Sequence, residues 1–192
     1  MTNGPSRFLS LAGAALLAAL GLAACGGQQY PTAHGEGEGA VIEAGSLLYQ
    51  VQMSRELNPD NVEDREYLDG VDSGDTTLAP DEEWFGVWLR VENSEDEPYP
   101  AAEEFKIVDT VGNEYEPFEL PESNVFSYQP VELGGESAPS VLPDPESGAG
   151  GGPIQGSLLL FKLNTSVYSN RPVELEIVPS DGGEPSTVEL DL

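Results

Sequence analysis

The sequence predicts an all-β protein, an antiparallel β-sandwich of about seven short strands, and three observations lead there. From Leu47 onward the dominant hydrophobic period is two, the mark of half-buried strands. Turn-forming residues, 22 Gly and 16 Pro among 192, separate the apolar runs at short intervals. No stretch of ten or more residues carries a capped apolar period of 3.6. A small closed barrel has the same signature and stays open on periodicity alone.

The first strand is expected over 47–56, where Tyr49, Val51 and Met53 alternate with Gln50, Gln52 and Ser54. Met53 reads as a core residue, since no second soft ligand lies near it to make it a copper ligand. Residues 58–83 read as a long acidic loop rich in Pro, Asn, Asp and Gly. The strongest strand spans 84–93, with Phe85, Val87, Leu89 and Val91 on one face and Trp84 and Trp88 on the other. Large apolar groups on both faces place it centrally, and the tryptophans read as core before they read as a stacking platform.

A strand over 104–110 then turns through Val111-Gly112-Asn113, residues tolerant of positive φ, into Glu114-Tyr115-Glu116 as a hairpin. Residues 117–153 read as Pro- and Gly-rich loop with short apolar patches at 125–128 and 131–133. Ile154–Leu163 is doubly apolar, Ile154, Leu158 and Leu160 opposing Leu159, Phe161 and Leu163. Val173–Val178 and Thr187–Leu192 alternate Val, Leu and Ile with acids and form a closing hairpin through Ser180-Asp181-Gly182-Gly183. Each sheet is expected to carry its carboxylates on the face away from the core.

The N-terminal segment reads as a targeting element. Arg7 precedes the apolar run Phe8–Ala24, Cys25 follows, and no acid occurs before Glu36. Leu22-Ala23-Ala24-Cys25-Gly26 resembles the bacterial lipobox. That resemblance implies that residues 1–24 are a cleaved signal peptide and that Cys25 is the lipid attachment site and first residue of the mature chain. Two or three acyl chains at about 0.8 kcal/mol per buried methylene hold a protein stably at a membrane. Residues 25–46 are expected to be the lipidated cysteine and a flexible tether of roughly 25 Å, and 47–192 the domain.

Composition narrows the chemistry. With 35 Asp+Glu against 7 Lys+Arg, the net charge is −28, which repels phosphate and excludes a nucleic-acid partner. From Cys25 onward six basic residues face all 35 acids, so no polybasic patch assists membrane binding. One Cys and one His, His34, leave little for a zinc site or a His-based triad. Carboxylates this abundant fall near one another by chance, so no catalytic pair is assigned. Asp69-Gly70-Val71-Asp72-Ser73-Gly74-Asp75 departs from EF-hand spacing, and no metal ligand, cofactor or catalytic residue is named.

Three segments carry a family likeness: Phe85-x-Val87-x-Leu89-x-Val91-x-Asn93, then Asp109-x-x-Gly112-Asn113-x-Tyr115, then Gly156-x-Leu158-x-Leu160-Phe161. Over about 46–178 the chain resembles bacterial lipoproteins with an immunoglobulin-like domain of unknown function, a group often mislabelled as telomeric-repeat-binding-factor-like. The resemblance implies an immunoglobulin-like sandwich outside the cytoplasm, with Asn93, Glu97 and Pro98 at a strand-end turn capped by a side chain. It carries no catalytic residues. The functional expectation is a non-enzymatic, membrane-anchored envelope protein whose domain is an interaction or structural module, its protein or small-ligand partner unidentified. The alternative is a calcium- or ligand-binding module that uses the acidic loop 58–83.

Overall fold

The structure is a computed structural model that describes residues 31–71, 77–136, 138–145 and 154–192. The signal segment 1–24 and Cys25 lie outside the described residues. The strands in chain order are β1 His34–Gly35, β2 Val41–Ala44, β3 Leu47–Leu57, β4 Glu82–Glu92, β5 Tyr99–Pro100, β6 Glu104–Val108 and β7 Glu114–Tyr115. They continue with β8 Pro117–Phe118, β9 Glu132–Leu133, β10 Val141–Leu142, β11 Ser157–Asn164, β12 Val173–Val178 and β13 Ser186–Leu190. Among the described residues helical structure is limited to one α-turn, Val62–Arg65, and one 3-10 turn, Thr165–Ser169.

Two sheets form the sandwich. The first runs β2-β3-β4-β11-β8, with β10 extending along β4, and the second runs β1-β13-β12-β6-β7. Setting aside the edge additions β1, β2 and β7, the neighbour orders β3-β4-β11-β8 and β13-β12-β6 reproduce the four-plus-three arrangement of the immunoglobulin fold. Among the described residues seven strands have four or more residues, and the rest are two-residue pieces. Among the described strand pairs one departs from the antiparallel rule, β1 running parallel to β13, and the isolated bridges Thr32–Ile42 and Ser127–Leu158 are also parallel.

Central placement of β4 is observed: β3 flanks it on one side and β11 with β10 on the other. Phe85, Val87, Leu89 and Val91 enter the core between the sheets, where they meet Leu159, Phe161 and Leu163 of β11 and Phe105, Ile107, Leu175 and Ile177 of the second sheet. Trp84 and Trp88 point the other way. Both are fully buried in a second apolar cluster with Leu57, Tyr67, Leu68, Leu120, Leu158 and Leu160. Gly86 makes this possible: a Cβ there would lie 2.7 Å from the Trp88 ring, so only glycine admits the indole.

Three expectations are corrected here. The first sheet does not turn a carboxylate-bearing face to water, because the loop after β3 and residues 118–128 lie over the tryptophans. Met53 is not in the core but 38% exposed, since the register slips between Val51 and Met53 and the bulge exchanges the faces of the strand. The same slip sends Arg55 and Leu57 to the tryptophan face, and the Arg55 guanidinium lies 5.6 Å from the Trp88 ring centroid. Finally, the tether does not reach Ser46, because His34–Gly35 and Val41–Ala44 are strands. β2 is the first arm of a hairpin with β3, and its Glu43 N also donates to the Thr32 carbonyl, while β1 is bonded from far along the chain, Thr187 N donating to the Ala33 carbonyl and the His34 ring nitrogen lying 2.8 Å from the Thr187 hydroxyl. Local sequence composition carries no trace of that.

The covering loops lack regular pairing, so buried side chains answer their backbone groups. The Asn124 amide donates to the Tyr67 and Asp69 carbonyls while its oxygen accepts from Phe126 N. Asp64 accepts from Arg55 at 2.6 Å and from Asn58 N, and Asn61 caps the helical turn by accepting from Glu63 N. The expected strand-end turn is present, since Asn93 Nδ2 donates to the Glu97 and Leu133 carbonyls and its oxygen accepts from Glu95 N. Trp88→Ala removes the centre of the outer cluster and is expected to lower unfolding stability by about 3–5 kcal/mol in urea titration. Exposed Val62→Ala on the loop above it is expected to stay within about 0.5 kcal/mol.

Candidate functional site

Residues 32–35 lace one side of the sandwich by touching both sheets, Thr32 bridging to Ile42 of β2 and β1 pairing with β13. The opposite side is open. There the chain leaves the second sheet after Tyr115 and joins the first at Pro117, which pairs with Phe161 of β11. It crosses again near 128–131, where Tyr128 N donates to the Leu158 carbonyl and Ala101 N to the Val131 carbonyl. Between these two crossings lies a cleft of about 850 Å³.

Apolar lining comes from Phe105, Phe118, Tyr128, Leu158 and Leu159. Phe105 and Tyr128 meet edge to face at 5.1 Å, and the Tyr128 hydroxyl donates to the Ala102 carbonyl. Ala102 N in turn donates to the Tyr49 hydroxyl, so two tyrosines clamp the backbone that enters β6. Burial pushes the Tyr49 phenol up to about 12, outweighing the Ala102 hydrogen bond, so it stays neutral while it accepts from Ala102 N.

The polar lining is acidic. Glu103, Glu104, Glu114, Glu116, Glu119 and Glu122 all border the cleft and all are exposed, against a single base, Lys106. The Lys106 ammonium lies 2.9 Å from Glu114 and 3.2 Å from Glu176, two partners that raise its pKa and keep it charged. Its charge is therefore answered within the protein. Low-dielectric walls beneath a rim of one sign concentrate field in the opening, which draws cationic groups.

The hairpin that forms one wall is set by Asp109. Its carboxylate accepts from Val111 N, Asn113 N, the Asn113 amide and the Asn170 amide, and Gly112 at φ +86° completes the turn. Burial alone would raise the Asp109 pKa, and the four donors outweigh it and hold the carboxyl below its usual value. Elsewhere, Glu83 is shifted upward by burial, which outweighs the hydrogen bond it accepts from the Tyr168 hydroxyl; Glu56 adds to the rise.

The residues that drew attention in the sequence end in other places. Trp84 and Trp88 offer no stacking surface, being sealed with their indole N–H groups unpartnered among the described residues. In the acidic loop, Asp64 is engaged by Arg55, while Asp72 and Asp75 fall outside the described residues. Among the described residues no group of three or more His, Cys, Asp or Glu is placed to hold a metal ion. No described helix is long and apolar enough to cross a membrane. Sequence reasoning missed the cleft, because it divided its glutamates between a strand, a hairpin and a loop. The available signal was the density of Glu and Pro over 103–122 flanking a single lysine.

No family model matches the chain, and no curated protein does. Among solved structures, the yjhA protein of Bacillus subtilis aligns with a TM-score of 0.51 at 13% identity, over 81% of this chain and 99% of that one. A candidate lipoprotein of the same species, ycdA, aligns with a TM-score of 0.48 at 14% identity, over 81% of this chain and 38% of its own. An uncharacterized β-sandwich protein of Clostridium difficile gives 0.41 at 8% identity, over 85% and 98% of the two chains. The chain thus spans well under half the length of ycdA, and the likeness to yjhA is one of fold.

Because the Asp109 pKa is lower folded than unfolded, its stabilisation is fully present above about pH 4 and is lost as pH falls through the folded value. Asp109→Ala is expected to cost about 2–3 kcal/mol at pH 7. In urea titrations at pH 7 and pH 2.5, the gap between wild type and variant should narrow at the lower pH.

Proposed function

We propose that this chain is a non-enzymatic, lipid-anchored cell-envelope protein whose immunoglobulin-like sandwich serves as an interaction module outside the cytoplasm. The observation that carries the anchor is Leu22-Ala23-Ala24-Cys25-Gly26 at the end of an apolar run that follows Arg7. A thioether-linked diacylglycerol and an acyl group on the freed amine would bury enough methylenes to hold the domain against the repulsion between its own charge and an anionic membrane. The acyl chains then supply all of the membrane affinity.

Support for the module reading comes from how the buried polar side chains are used. Asp64, Asn93, Asp109 and Asn124 each hold a loop or turn in place through two or more hydrogen bonds. Six exposed glutamates border the cleft, where they present negative charge above an apolar floor. Such a surface recognises a partner by charge and shape.

Cys25→Ala is the direct test. Wild-type protein is expected in the detergent-extractable membrane fraction with a blocked, lipid-heavy N-terminal cysteine by mass spectrometry. The variant is expected in the soluble or secreted fraction. A variant that stays with membranes through carbonate washing would contradict the anchor.

A further inference from the structure

Strand β6 is bonded fully on one side and only partly on the other. In the hairpin, Asp109 N donates to the Asn113 carbonyl and Gly112 N to that of Asp109, which fixes 109 and 113 as a hydrogen-bonded pair. Antiparallel pairs alternate, so residues 109, 107 and 105 direct their N–H and C=O toward β7, and 106 and 104 direct theirs toward β12. The rest of the second sheet obeys the same alternation. Thr187 N donates to Ala33 of the β1 segment, which leaves 186 and 188 to bond with β12, and β12 then answers β6 through Glu176 opposite Lys106.

Tyr115 answers Ile107. The position that would answer Phe105 is 117. It is a proline, which has no N–H, and it has already crossed to pair with Phe161 in the other sheet. At the far end the Val131 carbonyl answers Ala101 N. By this alternation the backbone N–H and C=O of Phe105 on this side are given no strand partner among the described residues, and Phe105, though only 5% exposed, is one of the residues that line the cleft. Between the answered positions 101 and 107 the chain runs up to about 20 Å at roughly 3.4 Å per residue, and the open stretch within it is centred on Phe105, room for a short added strand.

We infer that the cleft receives an extended peptide segment of a partner protein, bearing Lys or Arg at alternate positions, that adds as a short strand to β6 at Phe105. Strand addition supplies the missing donor and acceptor, and alternation of side chains sorts the segment between two surroundings. Basic side chains face the glutamate rim at Glu103, Glu116, Glu119 and Glu122, while the residues between them face Phe118, Tyr128 and Leu159. Charge selects this occupant over a second copy of the chain, which brings a net −28 of its own to a rim of the same sign. The inference rests on the reading of the domain as an interaction module. It does not depend on the anchor.

The test uses the full processed chain in detergent micelles at low ionic strength, titrated with an eight-residue peptide of alternating Lys and Val. Saturable binding is expected, weakened at least tenfold when the peptide backbone is N-methylated at alternate residues, since that removes the strand bonds and keeps every charge. Glu116→Gln, Glu119→Gln and Glu122→Gln together should weaken it about tenfold and flatten its salt dependence. Glu43→Gln, on the opposite edge of the first sheet, should change it by less than twofold. Equal binding of the N-methylated peptide, or binding of the polyamine spermine as tightly as the peptide, would reduce the cleft to a diffuse polyanion and overturn the inference. So would the absence of saturable binding. Both peptide arms use the wild-type chain, so a misfolded variant cannot decide the outcome. Failure here with Cys25→Ala still released from membranes would leave the anchor standing without this partner.

Discussion

Burial of β4 on both faces is the constraint around which the rest is arranged. Phe85, Val87, Leu89 and Val91 on one face and Trp84 and Trp88 on the other would together expose more apolar surface than a one-sided sheet tolerates. The inner face meets the second sheet, as any sandwich requires. The outer face needs a cover of its own, and the long connection between β3 and β4 together with residues 118–128 supplies it. What reads as an acidic loop is a lid whose apolar members, Tyr67 and Leu68, lie beneath its charges, with Leu120 contributed by the second covering segment.

A lid without strand pairing must find other partners for its backbone, and here the answers are individual amide and carboxylate side chains. Asn124 ties the two covering segments to each other, Asp64 ties one of them to Arg55, and Asn93 and Asp109 perform the same service at the ends of β4 and β6. Each is buried, each has several partners, and loss of any one strands more than one polar group from water. The abundance of acids elsewhere hides this division of labour. Most carboxylates face solvent and keep the protein apart from its own copies, while a few hold connections in place.

How much was legible follows from the range of the interactions involved. Period-two alternation depends on neighbours within one strand, and it located β3, β4, β6, β11, β12 and β13 and assigned the faces of β4 and β11 correctly. Met53 defeated it because a bulge has no signature in alternation until its partner strand is known. β2 escaped because four residues are too few to show alternation before the Gly45-Ser46 turn that pairs them with β3, and β1 and β8 because two residues in Gly- or Pro-rich sequence become strands only through edges far away in the chain. The cleft was illegible for the same reason. It is made by an absence, the proline at 117 and its departure from the second sheet, and its acids come from several separate segments.

The two sides of the sandwich are therefore unequal, one laced by residues 32–35 and the other left with an unanswered backbone at Phe105. Residue-resolved amide hydrogen exchange tests this most directly. With both faces of β4 sealed and β6 bonded fully toward β12 but only partly on its other side, the amides of Val87 to Leu89 should be among the slowest in the chain. Lys106, bonded toward β12, should be protected, and adjacent Phe105 should exchange orders of magnitude faster. Equal protection at Phe105 and Lys106 would mean that the edge is already occupied, and rapid exchange throughout β4 would mean that its outer face is not covered.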